Sequence, residues 1–89
     1  MFIGSLMKHA DIHALERLGS LLDEIRKMAP LKERSQGVFY FKSKAFLHFH
    51  DDPSGLFADL RTGSDFERFP VNSAEQRSLL LQTVRAHLR

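Results

Sequence analysis

The chain has 89 residues, a net charge of +2, eight phenylalanines and neither cysteine nor tryptophan. Without cysteine there is no disulfide framework, thiol nucleophile or Cys-ligated zinc, and an apolar fraction of 43% is too high for a disordered chain. The length fits one domain over residues 1–89, no apolar run reaches the roughly 18 residues of a membrane span, and no run of five like charges forms a nucleic-acid tail.

Residues 1–7, Met-Phe-Ile-Gly-Ser-Leu-Met, are apolar but shorter than a signal-peptide core and lack a basic flank. They are expected to be a flexible extension, with Met7 a second start, on a cytoplasmic protein. Residues 8–29 read as one amphipathic helix: Ala14, Leu15, Leu18, Leu22, Ile25 and Met28 or Ala29 recur at three- and four-residue spacing. Asp11 suits an inner cap, and Pro30 bars continuation because the residue before proline avoids the α region. Residues 31–36 are polar and read as a connection ending at Gly37. Val38–Phe41 is a strand by composition, Lys42-Ser43-Lys44 a tight reversal, and Ala45–His50 a second strand. Asp51-Asp-Pro-Ser-Gly55 is a turn, Leu56–Arg61 a third strand, Thr62–Asp65 a hairpin loop, and Phe66–Val71 a fourth strand whose Pro70 suits an edge or an end. Ser73-Ala-Glu-Gln76 is a capping box opening a helix to about Leu88, with Leu80, Leu81, Val84 and Leu88 as its stripe.

This order, α-β-β-β-β-α with short loops, predicts a two-layer α+β domain. Its sheet is a four-stranded antiparallel meander with the N- and C-terminal helices on one face. Alternation then sorts the strand residues. Ala45, Leu47 and Phe49 share a face, as do Leu56, Ala58 and Leu60, and these aliphatic sets seat the helices. Phe46, His48 and His50 point the other way, with Phe57, Asp59 and Arg61. On the first strand either Phe39 and Phe41 or Val38 and Tyr40 must join them. A helix-free face carrying Phe39, Phe41, Phe46, His48, His50 and Phe57 is therefore the expected interaction surface, because contiguous exposed apolar patches mark association sites. For so short a chain the gain from apolar burial and the cost of ordering nearly cancel. The leading expectation is thus a non-catalytic module that self-associates as a homodimer through this face or a sheet edge.

Two alternatives use the same residues. His48-Phe49-His50 is a His-x-His on a strand, which puts both imidazoles on one face about 6–7 Å apart and within reach of one metal ion; Asp51 or Asp52 would add oxygen. His9 and His13, four apart on one face of the expected helix, are a second candidate pair. Lys42, Lys44, Arg61 and Arg68 beside the sheet phenylalanines resemble an aromatic and basic platform for single-stranded nucleic acid. Asp51, Asp52, Asp59, Asp65 and Glu67 dilute that charge, and the strand order departs from the RNA-recognition pattern. No nucleophile elbow, phosphate loop or dinucleotide fingerprint is present, so no catalytic residue and no organic cofactor is assigned.

The stretch Gly37-Val-Phe-Tyr-Phe-Lys-Ser-Lys-Ala-Phe-Leu-His-Phe-His50, continuing to Gly55-Leu-Phe-Ala-Asp59, resembles small bacterial proteins without assigned activity. It is also similar to the strand–Lys–strand hairpin of the MmcQ/YjbR-like family. The resemblance covers about a quarter of the chain and implies a compact α+β module of prokaryotic type; it carries over no site residue.

Overall fold

The segment expected to form one long helix is divided into three elements: strand β1 (Lys8–His9) and helices α1 (Ile12–Arg17) and α2 (Gly19–Arg26). A computed structural model describes residues 8–88, with side chains from Ala10 onward; the proposed extension 1–7 lies outside them. Asp11 is the helix start, its carboxylate accepting from the Ala14 amide at 3.0 Å. The break falls at Leu18. There the amides of Leu18 and Leu21 donate to carbonyls three residues back, at 3.0 and 2.8 Å, just where Gly19 weakens the helix by about 1 kcal/mol relative to alanine. The apolar periodicity survives the break: Ala14, Leu15, Leu18, Leu22 and Ile25 are all buried, and Leu21 joins them.

The sheet has five strands in one antiparallel path, β2 (Leu31–Ser35), β3 (Val38–Phe41), β4 (Lys44–Asp52), β5 (Gly55–Arg61) and β6 (Phe66–Pro70), with β1 beside β4; helix α3 (Ala74–Ala86) follows. The expected count of four strands is corrected by β2, a polar segment whose composition predicts a connection. Its residues pair Leu31 with Phe41, Lys32 with Tyr40 and Glu33 with Phe39. An edge strand needs one partner and tolerates charge on its open side, where Lys, Glu and Arg discourage further pairing. Arg26 ties it to α2, its guanidinium donating to both Glu33 carboxylate oxygens at 2.8 and 2.9 Å. β1 has a similar origin. β3 pairs with β4 over Lys44–Leu47, and β1 takes the same edge further along, with Lys8 opposite Asp51 and His9 opposite His50. Strand backbone must find partners, and Ala10 adds one more by donating to Phe49 at 3.1 Å.

Leu47, Phe49, Leu56, Ala58, Leu60 and Val71 form one core with the buried stripes of α1, α2 and α3, as alternation predicts. Phe39 corrects the aromatic count: it is 1% exposed and belongs to this core. Its partner is Leu47, while Tyr40 pairs with Ala45, so the register shifts there and Phe46 is the extra residue of a bulge. Phe46 is itself buried, edge-on to Phe41 with centroids 5.4 Å apart.

The β3–β4 reversal is made by Lys42 and Ser43, both at positive φ (52° and 69°). This is the twist a two-residue hairpin requires, and it is one that L-residues adopt at a cost. Ser43→Gly is expected to raise stability by up to about 1 kcal/mol, readable as a higher midpoint in urea unfolding. At the opposite end, Gly55 (φ 138°) leaves room for Asn72, whose amide brackets Leu56 by accepting from its N–H at 2.9 Å and donating to its carbonyl at 3.0 Å. The capping box is formed as read: the Gln76 amide donates to Ser73 Oγ at 3.1 Å and Gln76 Oε1 accepts from the Ser73 amide at 3.2 Å.

Candidate metal centre

On the face opposite Leu47 and Leu60, a polar row crosses three strands: His48 of β4 stands opposite Asp59 of β5, which stands opposite Arg68 of β6. His50 lies diagonally from Asp59. These positions follow from the hairpins. The Pro53-Ser54 loop sets Asp52 against Gly55, and each step back along β4 then meets a step forward along β5.

His48 Nδ1 lies 3.1 Å from His50 Nε2, and His50 Nε2 lies 2.9 Å from Asp59 Oδ2. One ligating atom from each residue falls within 4.8 Å of the other two. Four-coordinate zinc, with bonds of about 2.0–2.1 Å, sets its ligand atoms about 3.3 Å apart, so small outward movements of these side chains would admit an ion. His50 and Asp59 are buried (9% and 8% exposed), whereas His48 is half-buried and opens the cluster outward. The His48 ring meets the exposed Phe66 edge-on at 4.8 Å.

Arg68 orients the carboxylate. Its Nε donates to Asp59 Oδ1 at 2.7 Å and its terminal nitrogen to Oδ2 at 2.8 Å. Burial alone would push the Asp59 carboxyl up, but the Arg68 hydrogen bond and the neighbouring His50, Arg68 and His48 charges outweigh it and hold the group below the usual carboxylate range. A depressed folded value means that the stability contributed by Asp59 is complete above the ordinary value of 3.8 and is lost as pH falls through the folded one. Melting temperature is therefore expected to fall on acidification below about pH 4, and less steeply in Asp59→Asn; parallel acid limbs in the two proteins would contradict the assignment.

Of the expected metal ligands, His48 and His50 do converge. Asp51 stands opposite Leu56, in the row of the aliphatic residues, and Asp52 is engaged with the Ser54 amide and hydroxyl. The third group of the cluster is Asp59, which sequence reasoning placed on the right face but not beside His48. His9 sits in a strand and His13 on α1, so the two do not share a helix face; the His9 side chain lies outside the described ones. Of the expected interaction residues, Phe39 and Phe46 are interior, Phe41 and Phe57 half-buried, and Phe66 is the exposed aromatic that joins them. Of the basic set, Arg68 is engaged by Asp59, while Lys42, Lys44 and Arg61 gather around a cleft at the β3–β4 and β5–β6 turns. No helix among the described residues is long and apolar enough to cross a membrane. The chain matches no family model, no curated protein and no solved structure.

Proposed function

We propose that this protein binds a divalent transition-metal ion through His48 Nδ1, His50 Nε2 and Asp59 Oδ2. The observation that carries the reading is that one ligand atom from each of these three residues, on two adjacent strands, lies within 4.8 Å of the other two. Two imidazoles and one carboxylate suit zinc and its first-row neighbours better than magnesium or calcium, which favour all-oxygen sites. Three protein ligands leave at least one coordination position for water or a further ligand, on the half-exposed His48 side. Arg68 supports the site from behind, as outer-shell partners do, by fixing Asp59 through Oδ1. Isothermal titration with zinc is expected to give one site per chain, with Asp59→Asn weakening it about 10-fold or more. Absence of saturable binding to the intact protein would refute the proposal.

Self-association through the same face is the second reading. It is supported by Phe66, exposed beside His48, with Phe57 half-buried two strand positions along from Asp59. Sedimentation that is independent of concentration would remove it.

A further inference from the structure

At the end of the sheet away from Asn72, Phe41, Lys42, Lys44, Phe46, Arg61 and His87 line an open cleft of about 320 Å³. We infer that this cleft binds a small organic anion, a single ring or short chain bearing a carboxylate or phosphate. The argument is independent of the metal site.

Charge comes first. Among the described lining residues three are cationic, a fourth is a histidine, and none is acidic. In a chain of 13 basic and 11 acidic side chains that segregation is local, although Glu67 accepts from the Thr62 hydroxyl at 3.3 Å beside it, and a cleft lined by one sign of charge favours the opposite one. The apolar part comes from Phe41 and Phe46, which meet edge to face. Phe46 is the extra residue of the β4 bulge, and bulges re-aim side chains next to binding sites. Apolar walls with a few convergent polar groups are the usual make-up of a small-ligand site, and the volume lies at the small end of such sites. A ligand with one ring and one anionic group matches both the size and the lining.

Preorganisation is the second strand of the argument. Arg61 Nε donates to the Ala45 carbonyl at 2.8 Å and its guanidinium lies 4.5 Å above the Phe66 ring, so the charge is held in place before any ligand arrives. The Lys42 ammonium stands 5.1 Å above the Phe41 ring. His87 Nδ1 donates to the Thr83 carbonyl at 2.9 Å, which assigns the ring's Nδ1 proton. Lys42 and Ser43 turn the chain at positive φ in place of the easier Asn-Gly. Non-glycine residues in costly backbone conformations concentrate at ligand sites, and here one of them lines the cleft.

The test is an amide NMR titration of the full chain in EDTA, which excludes any metal contribution, with benzoate, phenyl phosphate and inorganic phosphate as separate probes. Saturable shifts at Lys44, Arg61, Thr62 and Gly63, with His48 and Asp59 unmoved, are expected for at least one ring-bearing probe. Inorganic phosphate is expected to bind at least about 10-fold more weakly than phenyl phosphate, because it lacks the ring whose apolar surface the cleft would bury. Lys44→Glu, at an exposed strand position that should not disturb folding, is expected to weaken binding about 10-fold; Ser43→Gly should not. Phenyl phosphate binding without benzoate binding would assign the phosphate class, and the reverse the carboxylate class. No saturable shift with any of the three, or shifts unchanged by Lys44→Glu, would overturn the inference. So would an oligothymidylate that binds tightly at this surface while the small anions do not, which would make it a nucleic-acid site.

Discussion

Zinc at one hundred times its dissociation constant is expected to raise the melting temperature by about 10–20 °C. A ligand confined to the native state stabilises it by about 2.7 kcal/mol at that excess, and each kcal/mol moves the midpoint of a domain this size by about 4–8 °C. At the same zinc concentration the rise should fall by about half or more in Asp59→Asn and in His48→Ala. The second variant is the cleaner test, because His48 is half-buried and its removal leaves the His50–Asp59–Arg68 contacts in place. Both imidazoles must be deprotonated at the ligating nitrogen, so the zinc-induced rise should shrink on acidification. Calcium and magnesium should shift the midpoint little at equal concentration. A melting curve unmoved by zinc, nickel or cobalt at neutral pH would end the metal reading.

Phe39→Ala is expected to cost about 3–5 kcal/mol, the range for truncating a buried aromatic, against a total stability of about 5–15 kcal/mol for a domain. Much of the protein should be unfolded at 37 °C. Phe57→Ala, at a half-buried position on the other face, should cost clearly less. The comparison discriminates between two placements of Phe39. On the helix-free face it would resemble Phe57; beside Leu47 in the core it is 1% exposed. Urea unfolding of the two variants measures the difference, and equal costs would contradict the core assignment.

These experiments follow from features the sequence revealed unequally. His48 and His50 were legible as a pair because alternation forces residues two apart onto one face. Asp59 was legible as a residue of that face, but its distance from His48 depends on register, and register depends on loop length. A turn read as Asp51–Gly55 leaves several registers open, whereas the two-residue loop Pro53-Ser54 fixes His48 against Asp59. Counting the loop as two residues places Asp59 beside His48. Arg68 needed the same knowledge of the next hairpin. Sequence reading groups it with Lys42, Lys44 and Arg61 because charge alone cannot reveal that a carboxylate stands opposite.

Local chemistry by itself determined the parts of this protein that local interactions stabilise. The α3 start was in Ser73 and Gln76, whose side chains and backbones satisfy one another within one turn. The α1 start was in Asp11, the helical stripe in the spacing of Leu15, Leu18, Leu22 and Ile25, and the β4 and β5 faces in strict alternation. Tertiary structure decided what depends on a neighbour. Leu31–Ser35 is polar and becomes a strand because β3 presents an unpaired ladder; Lys8–His9 leaves the helical pattern because β4 outruns β3. A bulge, invisible in composition, returns Phe39 to the core and turns Phe46 toward the cationic cleft. Of the eight phenylalanines that made the composition unusual, these two are therefore interior. The surface left on the helix-free side is centred less on aromatic rings than on two imidazoles, a carboxylate and a guanidinium, brought together by hairpin register.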